Sequence, residues 1–317
     1  MENQTRVTEF ILLGLSSDPQ IQVFLFLLFL IIYVATLFGN ALIMLVIRTN
    51  PTLHTPMFFF LGHLAFLDIC YSSVTLPKML RNLSTKQKTI SQEGCIAQIF
   101  FFFQAACAEV FVLTAMAYDR YIAICDPLHY ISIMRKEICR QLLGGAWVMG
   151  FLYGVMNSLP LVKLHFCRNN QISHYSCEIP SLLLLSCDET FSNYVILLAS
   201  SFLFGFTSFL LTFVSYIYII ATILKIHSAE GRSKAFSTCT SHLIVVALFY
   251  VTGYFRYLRP NSFSSVILDQ LFSIQYSIST PLLNPVVYSL KTKEVKEAIK
   301  KLMKQNFENL YYIFYKD

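Results

Sequence analysis

The chain has 317 residues, of which 56% are hydrophobic and 13% charged, with 29 Phe, 18 Tyr and a formal net charge of +6. A soluble domain carries about 25% charged residues, so this composition excludes a globular protein folded in water. The expected solvent is lipid, which admits only helices or closed barrels, and the long apolar runs lack the alternation of barrel strands.

Met1 to Pro19 is mostly polar. Its one apolar patch, Phe10 to Leu15, is too short for a cleavable leader, so translocation is expected to rest on the first spanning helix. Asn3-Gln4-Thr5 is a glycosylation acceptor, usable only if the N-terminus is luminal. Asn82-Leu83-Ser84 is a second match but lies close to the membrane.

Seven apolar segments follow, near Val23–Ile47, Met57–Leu80, Cys95–Cys125, Ile138–Leu161, Tyr194–Leu224, Ser237–Leu258 and Val266–Leu290. Each supplies the roughly 20 helical residues that a hydrocarbon core needs. The third, fifth and seventh are rich in polar residues, which should face the bundle interior.

The expected fold is an all-α membrane protein, a seven-transmembrane helix bundle with a short amphipathic C-terminal helix. It divides into an extracellular N-terminus (1–22), the helix-bundle domain (23–290) and a cytoplasmic helix and tail (291–317). In Lys291–Lys304, Val295, Ile299, Leu302 and Met303 fall on one face among lysines, a pattern suited to an anionic inner leaflet.

With the N-terminus outside, the inner side receives Arg48, Arg135, Lys136, Arg140, Lys225, Arg232, Lys234 and the tail lysines. The outer side receives Lys78, Arg81, Lys86, Lys88, Lys163, Arg168 and Arg259. This inside bias agrees with the Asn3 acceptor. The basic residues are spread over loops and tail, so the partner they imply is the lipid bilayer and no nucleic acid.

Of nine cysteines, Cys95 ends the third span on the outside, and Cys167, Cys177 and Cys187 lie in the second outer loop. Four cysteines in an oxidising space suggest two disulfides, with three connectivities open. Cys177, in mid-loop, is the expected partner of Cys95, with Cys167 and Cys187 then joined to each other. A metal site at His174-Tyr175-Ser176-Cys177-Glu178 would need a Cys177 thiolate, so a disulfide there removes it and no metal is expected.

Short motifs carry the function. Gly39-Asn40 lies in the first span, and Leu53-His54-Thr55-Pro56-Met57-Phe58-Phe59-Phe60-Leu61 enters the second. Met116-Ala117-Tyr118-Asp119-Arg120-Tyr121-Ile122-Ala123-Ile124-Cys125 ends the third, before Asp126-Pro127-Leu128-His129-Tyr130. Lys234-Ala235-Phe236-Ser237-Thr238-Cys239-Thr240-Ser241-His242-Leu243 enters the sixth, and Pro281-Leu282-Leu283-Asn284-Pro285-Val286-Val287-Tyr288-Ser289 ends the seventh. In this order and spacing, the set closely resembles the tetrapod-type (class II) odorant receptor family of rhodopsin-like G-protein-coupled receptors. Phe58 departs from the family's usual Tyr, which touches packing only.

The resemblance implies a small volatile odorant as ligand and a heterotrimeric G protein of the stimulatory olfactory type as partner, raising cyclic AMP. It implies an activation switch at Asp119, Arg120, Tyr121, Tyr216, His242, Asn284, Pro285 and Tyr288. A charge at the membrane boundary is costly unless paired, and Asp119 is expected to hold the Arg120 guanidinium. Pro281 and Pro285 each remove a helix hydrogen bond and should bend the seventh span. The resemblance also places Asp68 near Asn40 and Asn284 in a polar network that could hold Na⁺, with Glu109 joining it; the alternative is a protonated, hydrogen-bonded network.

Helical spacing and the family's site position put the ligand in the outer half of the bundle. The candidates are Phe102, Phe103, Ala106, Cys107 and Val110 on the third span, and Leu197, Ser200, Ser201 and Phe204 on the fifth. The sixth offers Tyr250, Gly253, Tyr254 and Tyr257, and the seventh Ile274 and Ser277. This apolar, aromatic set with a few hydroxyls suits a small volatile making one hydrogen bond. No acid lines it to meet an amine, and Arg256 is expected to snorkel outward.

An enzyme is not expected, because no metal triad, nucleophile–base spacing or phosphate loop appears. A transporter would need internal repeats or paired interrupted helices, which are not seen. A chemosensor outside the nose on the same scaffold remains the other receptor reading.

Overall fold

The computed structural model describes residues 7–167, 170–257, 266–292, 294–302 and 304, with the backbone alone at 234, 238, 252–257, 266–269, 290 and 291. Asn3, the side chains of Tyr254, Arg256 and Tyr257, the surroundings of Gly253, Met303 and the aromatic end from Leu310 to Tyr315 lie outside what is described.

In chain order the elements are strand β1 (Glu9–Leu12), helix α1 (Pro19–Thr49), α2 (Pro56–Ser84), strand β2 (Thr89–Ser91) and α3 (Gln92–Cys125). A short α4 (Tyr130–Ile133) leads to α5 (Lys136–Ser158), strand β3 (Gln171–Ile172) and a short α6 (Ile179–Leu183). The fifth span is α7 (Phe191–Ser201) and α8 (Thr207–Leu224), joined by a π turn. The sixth is α9 (Ala229–Tyr257), and the seventh is α10 (Val266–Ile274) and α11 (Thr280–Lys291), again joined by a π turn.

The bundle is the one expected, with longer helices. Among the described residues α1, α2, α3, α5 with its 3₁₀ extension to Lys163, and α7–α8 are each long and apolar enough to cross a membrane. The sixth span qualifies as two segments, Ala229–Ser237 and Cys239–Val251, bent by 42°. The seventh is divided by its π turn, and Ser273, Ser277, Thr280 and Asn284 turn buried polar groups into the bundle. Helices run past the hydrocarbon because water also tolerates them: α1 begins at Pro19, with Asp18 capping the amides of Gln20 and Ile21. Residues 294–302 are helical, with Val295 and Ala298 buried and Lys296, Lys300 and Lys301 exposed.

Lipid is the solvent for the outer surface. Ile31 is 67% exposed and Phe38 70% exposed on α1, a pattern water would not support. Small residues set the central packing, where α3 touches α2, α5, α8 and α9. A Cβ at Gly150 would lie 2.5 Å from the Gln104 carbonyl oxygen, and one at Gly154 3.0 Å from the Phe100 ring. These two glycines let α5 approach α3 at backbone distance.

One layer is absent from the all-α expectation. β1 pairs antiparallel with β2 and parallel with β3, forming a three-stranded cap over the outer end in the order β2-β1-β3. Phe10 and Leu12, from the short apolar patch before the first span, are completely buried by this strand.

Candidate functional site

The outer half of the bundle, where the ligand chamber was expected, is packed with aromatic and aliphatic side chains. Phe103, Cys107, Leu197 and Phe204 share one apolar cluster with Tyr153 of α5 and with Cys177, Ile179, Leu182 and Leu183 of the second outer loop. Tyr153 joins the two sides, its ring centroid 5.2 Å from Phe103 and 5.2 Å from Phe204. Ala106 and Val110 belong to the next cluster down, where Phe102 packs on Tyr71 and Tyr276. Tyr250 packs edge-on against Phe209 and Phe249. Ile274 lies in a third cluster, with Tyr175 and Ile278.

The hydroxyls expected to serve a ligand already have protein partners. Ser200 exchanges hydrogen bonds with the Asn157 amide at 3.0 and 3.3 Å. Ser201 bonds the Tyr153 hydroxyl at 2.9 Å, so both serines pin α7 to α5. Ser277 meets the Tyr175 hydroxyl at 3.1 Å and donates to the Ser273 carbonyl.

The loop forms a roof. Disulfides join Cys95 to Cys177 and Cys167 to Cys187. The Cys177 amide donates to Gln98 of α3 at 2.9 Å. Tyr175, 2% exposed, donates to Ser273, whose hydroxyl donates to Glu178 at 2.8 Å. His174 lies 3.2 Å from the same Glu178 oxygen. With the Cys177 sulfur bonded, the metal reading of this stretch has no thiolate to use.

Beneath the chamber, the Asn284 amide donates to both Asp68 oxygens at 2.9 and 3.0 Å and lies 3.4 Å from Glu109. All three are buried. Glu109 Oε2 and Asn284 Oδ1 have no hydrogen-bond partner among the described residues. Asn40 was expected near these acids, and its amide hydrogens are used on two backbone carbonyls. Its amide donates to the carbonyls of Thr36 and Pro281, each at 3.0 Å. Pro285 has no N–H for the Pro281 carbonyl four residues back, so Asn40 satisfies that orphan. A Cβ at Gly39 would sit 3.2 Å from Pro285 Cγ. Gly39-Asn40 is thus the socket of a joint in the seventh span.

At the inner end the expected Asp119–Arg120 pair is an electrostatic contact, with no direct salt bridge among the described residues. Neighbours in a helix point apart, and Asp119 instead accepts from the Tyr130 hydroxyl of α4 at 2.9 Å. Arg120 lies near enough to act electrostatically on Tyr216, Cys239, His242 and Tyr288. Its Nε, Asp119 Oδ2 and the Tyr288 hydroxyl are buried without a partner among the described residues. His242 bridges three spans. Its Nε2 is 3.0 Å from the Leu113 carbonyl of α3, and its Nδ1 bonds the Tyr216 hydroxyl of α8. A carbonyl only accepts, so Nε2 carries the proton and the Tyr216 hydroxyl donates to Nδ1. Tyr121 packs beside this group and against Tyr218.

The family model described as olfactory receptor matches residues 29–306. Olfactory receptor 8S1 of Homo sapiens is 52% identical over 294 residues, covering 93% of this chain and 81% of its own. Olfactory receptor 2F1 of Homo sapiens is 48% identical over 95% of each chain. Olfactory receptor 4B13 of Mus musculus is 45% identical over 96% of this chain and 99% of its own. The chain belongs to the olfactory receptor family. It is a membrane protein of the G-protein-coupled class and not an enzyme.

Several residues of this olfactory receptor's inner clusters escaped sequence reasoning. Tyr153, Phe111, Phe249 and Tyr276 read as ordinary span residues; packing brings Tyr153 and Phe111 to the upper cluster and Phe249 and Tyr276 to the one below. Tyr130 and Asn157 carried a weak signal, as polar groups near or within apolar helices that need a partner. Asn82 of the second glycosylation match is 5% exposed, which withholds it from modification.

Proposed function

We propose that this receptor binds a small volatile odorant in the chamber bounded by Phe103, Tyr153, Phe204 and the Cys177 loop, and signals through a stimulatory olfactory-type G protein to raise cyclic AMP. The N-terminus is outside and the C-terminus inside. This orientation is supported by the basic residues near Arg48, Arg135 and Arg140, and by the gathering of both disulfides at the opposite end.

The observation that carries the coupling half of this reading is the His242 bridge to Leu113 and Tyr216. One neutral imidazole ties the inner ends of the third, fifth and sixth spans beside a guanidinium whose Nε lacks a partner. A ligand with higher affinity for the open state draws a two-state equilibrium towards it. Opening breaks the bridge and turns Arg120 to the G protein. The Asn40–Pro281 joint supplies the bend in the seventh span.

The same proposal covers the Asp68–Glu109 pair. Two buried carboxylates on one amide need a compensating proton or cation. The unpartnered oxygens of Glu109 and Asn284 are of the kind that Na⁺ takes, and a proton held within the pair is the other reading. Asp68, Glu109 and Asn284 would hold the ion, and since Na⁺ answers only one of the two carboxylate charges, a proton on one acid would complete the balance.

The test is a cyclic AMP reporter assay in cells carrying the receptor, an olfactory-type G protein and a trafficking chaperone, screened against a broad odorant panel. Arg120→Ala is expected to lose the odorant response while surface delivery persists. A normal response in that variant overturns the mechanism.

A further inference from the structure

A groove of about 800 Å³ opens between α1, α2 and α5 near the inner end of the bundle, apart from both the chamber and the switch. Its wall is apolar, built on Phe59, Phe66 and Trp147, with the Phe66 and Trp147 rings 6.2 Å apart. Gly62 keeps it open, since a Cβ there would meet only Ile47 Cδ1 at 3.8 Å. Three cations border it: Arg48 in the last turn of α1, Lys136 at the start of α5, and Arg140 one turn later. All three are exposed, and none has a carboxylate partner among the described residues.

An apolar slot this size accepts an acyl chain, and unpaired cations at a membrane boundary attract phosphate. We propose that the groove binds an anionic phospholipid, its chain against Phe59, Phe66 and Trp147 and its phosphates on Arg48, Lys136 and Arg140. A sterol fills the slot but leaves the charges unanswered. Met134 lines the same groove and follows α4, whose Tyr130 holds Asp119. The lipid therefore braces the loop beside the switch. That this end faces the anionic inner leaflet rests on the orientation proposed above.

The experiment uses full-length receptor in phosphatidylcholine nanodiscs of the same composition on both faces, so a wrong orientation cannot imitate a failed site. The probe is phosphatidylinositol bisphosphate carrying a diazirine on its acyl chain, compared with phosphatidylcholine carrying the same chain. The anionic probe is expected to label α2 peptides around Phe59 and Phe66 and the α5 peptide holding Trp147, well above the neutral probe. Labelling should fall with added salt, and roughly fivefold for each of Arg48→Gln, Lys136→Gln and Arg140→Gln. Gly62→Leu, which fills the slot without changing charge, should abolish it. Equal labelling by the two probes in the wild-type receptor overturns the proposal without any variant. So does displacement by cholesterol with no loss on neutralising the cations.

Discussion

At the outer end two disulfides, a three-stranded cap and the Tyr175–Ser273–Glu178 chain hold the loop to the bundle, and the unpartnered Asn82 amide lies outside this lock, at the end of α2. At the inner end Arg120 Nε, Asp119 Oδ2 and the Tyr288 hydroxyl lie buried without partners, beside one histidine that ties three spans. A buried polar group left unmade costs about 1–3 kcal/mol. The inner arrangement is thus one that an incoming acceptor can improve, whereas the outer one leaves little to gain by moving. The contrast assigns rigidity to the roof of the ligand chamber and bistability to the coupling face.

Breaking the outer lock should have the largest effect. Cys95→Ser opens a bridge of sequence separation 82, and loss of a native disulfide costs about 2–5 kcal/mol. The unpinned loop exposes Ile179, Leu182 and Leu183, which are buried in the native chamber. The variant is expected to be retained inside the cell, measured by surface staining against total receptor. Full surface delivery would mean that the cap and the hydrogen bonds suffice without the disulfide.

Next comes the inner latch. His242→Phe keeps the ring volume but strands the Leu113 carbonyl and the Tyr216 hydroxyl in the closed state. Basal cyclic AMP should rise by roughly tenfold at matched surface density. A basal level at or below wild type would show that the bridge holds both states equally and carries no switching energy. With Arg120→Ala, which should silence the receptor, the pair separates a latch from an effector at the same end.

Much of this contrast was legible in the sequence, but unevenly. The spans follow from apolar length, and the motif residues Arg120, His242, Asn284 and Pro285 come to the inner and middle bundle as expected. The partners did not. Asn40 serves the carbonyl of Pro281, 241 residues away, and no local pattern encodes which orphan an amide will meet. Asp119 takes Tyr130 because side chains one residue apart on a helix diverge, a geometric rule that the adjacency of Asp and Arg in the motif conceals. The strand at Phe10 and Leu12 is too short for its periodicity to register, and its pairs lie 80 and 160 residues along the chain. Ser200 and Ser201 look like ligand contacts until Asn157 and Tyr153 of α5 arrive opposite them.

The smallest expected effect tests how far the outer lock depends on charge. Asp188, beside Cys187, accepts from the His165 amide at 2.7 Å and faces its ring nitrogen at 3.1 Å. These bonds, the backbone one foremost, hold its carboxyl below the usual carboxylate range. A depressed folded-state value adds stability that is present above the unfolded value, and it is lost as pH falls through the folded one. The group is exposed, so water screens most of the gain. In hydrogen exchange corrected for intrinsic rate, Asp188→Asn should expose the His165 amide slightly more than wild type near neutral pH. The two should converge only as pH falls below the ordinary carboxylate range and through the depressed folded value, where wild-type Asp188 takes up its proton. A difference that persists at lower pH would assign the loop's order to the Cys167–Cys187 bond and the Phe166–Ser186 bridge, with the carboxylate contributing shape and not charge.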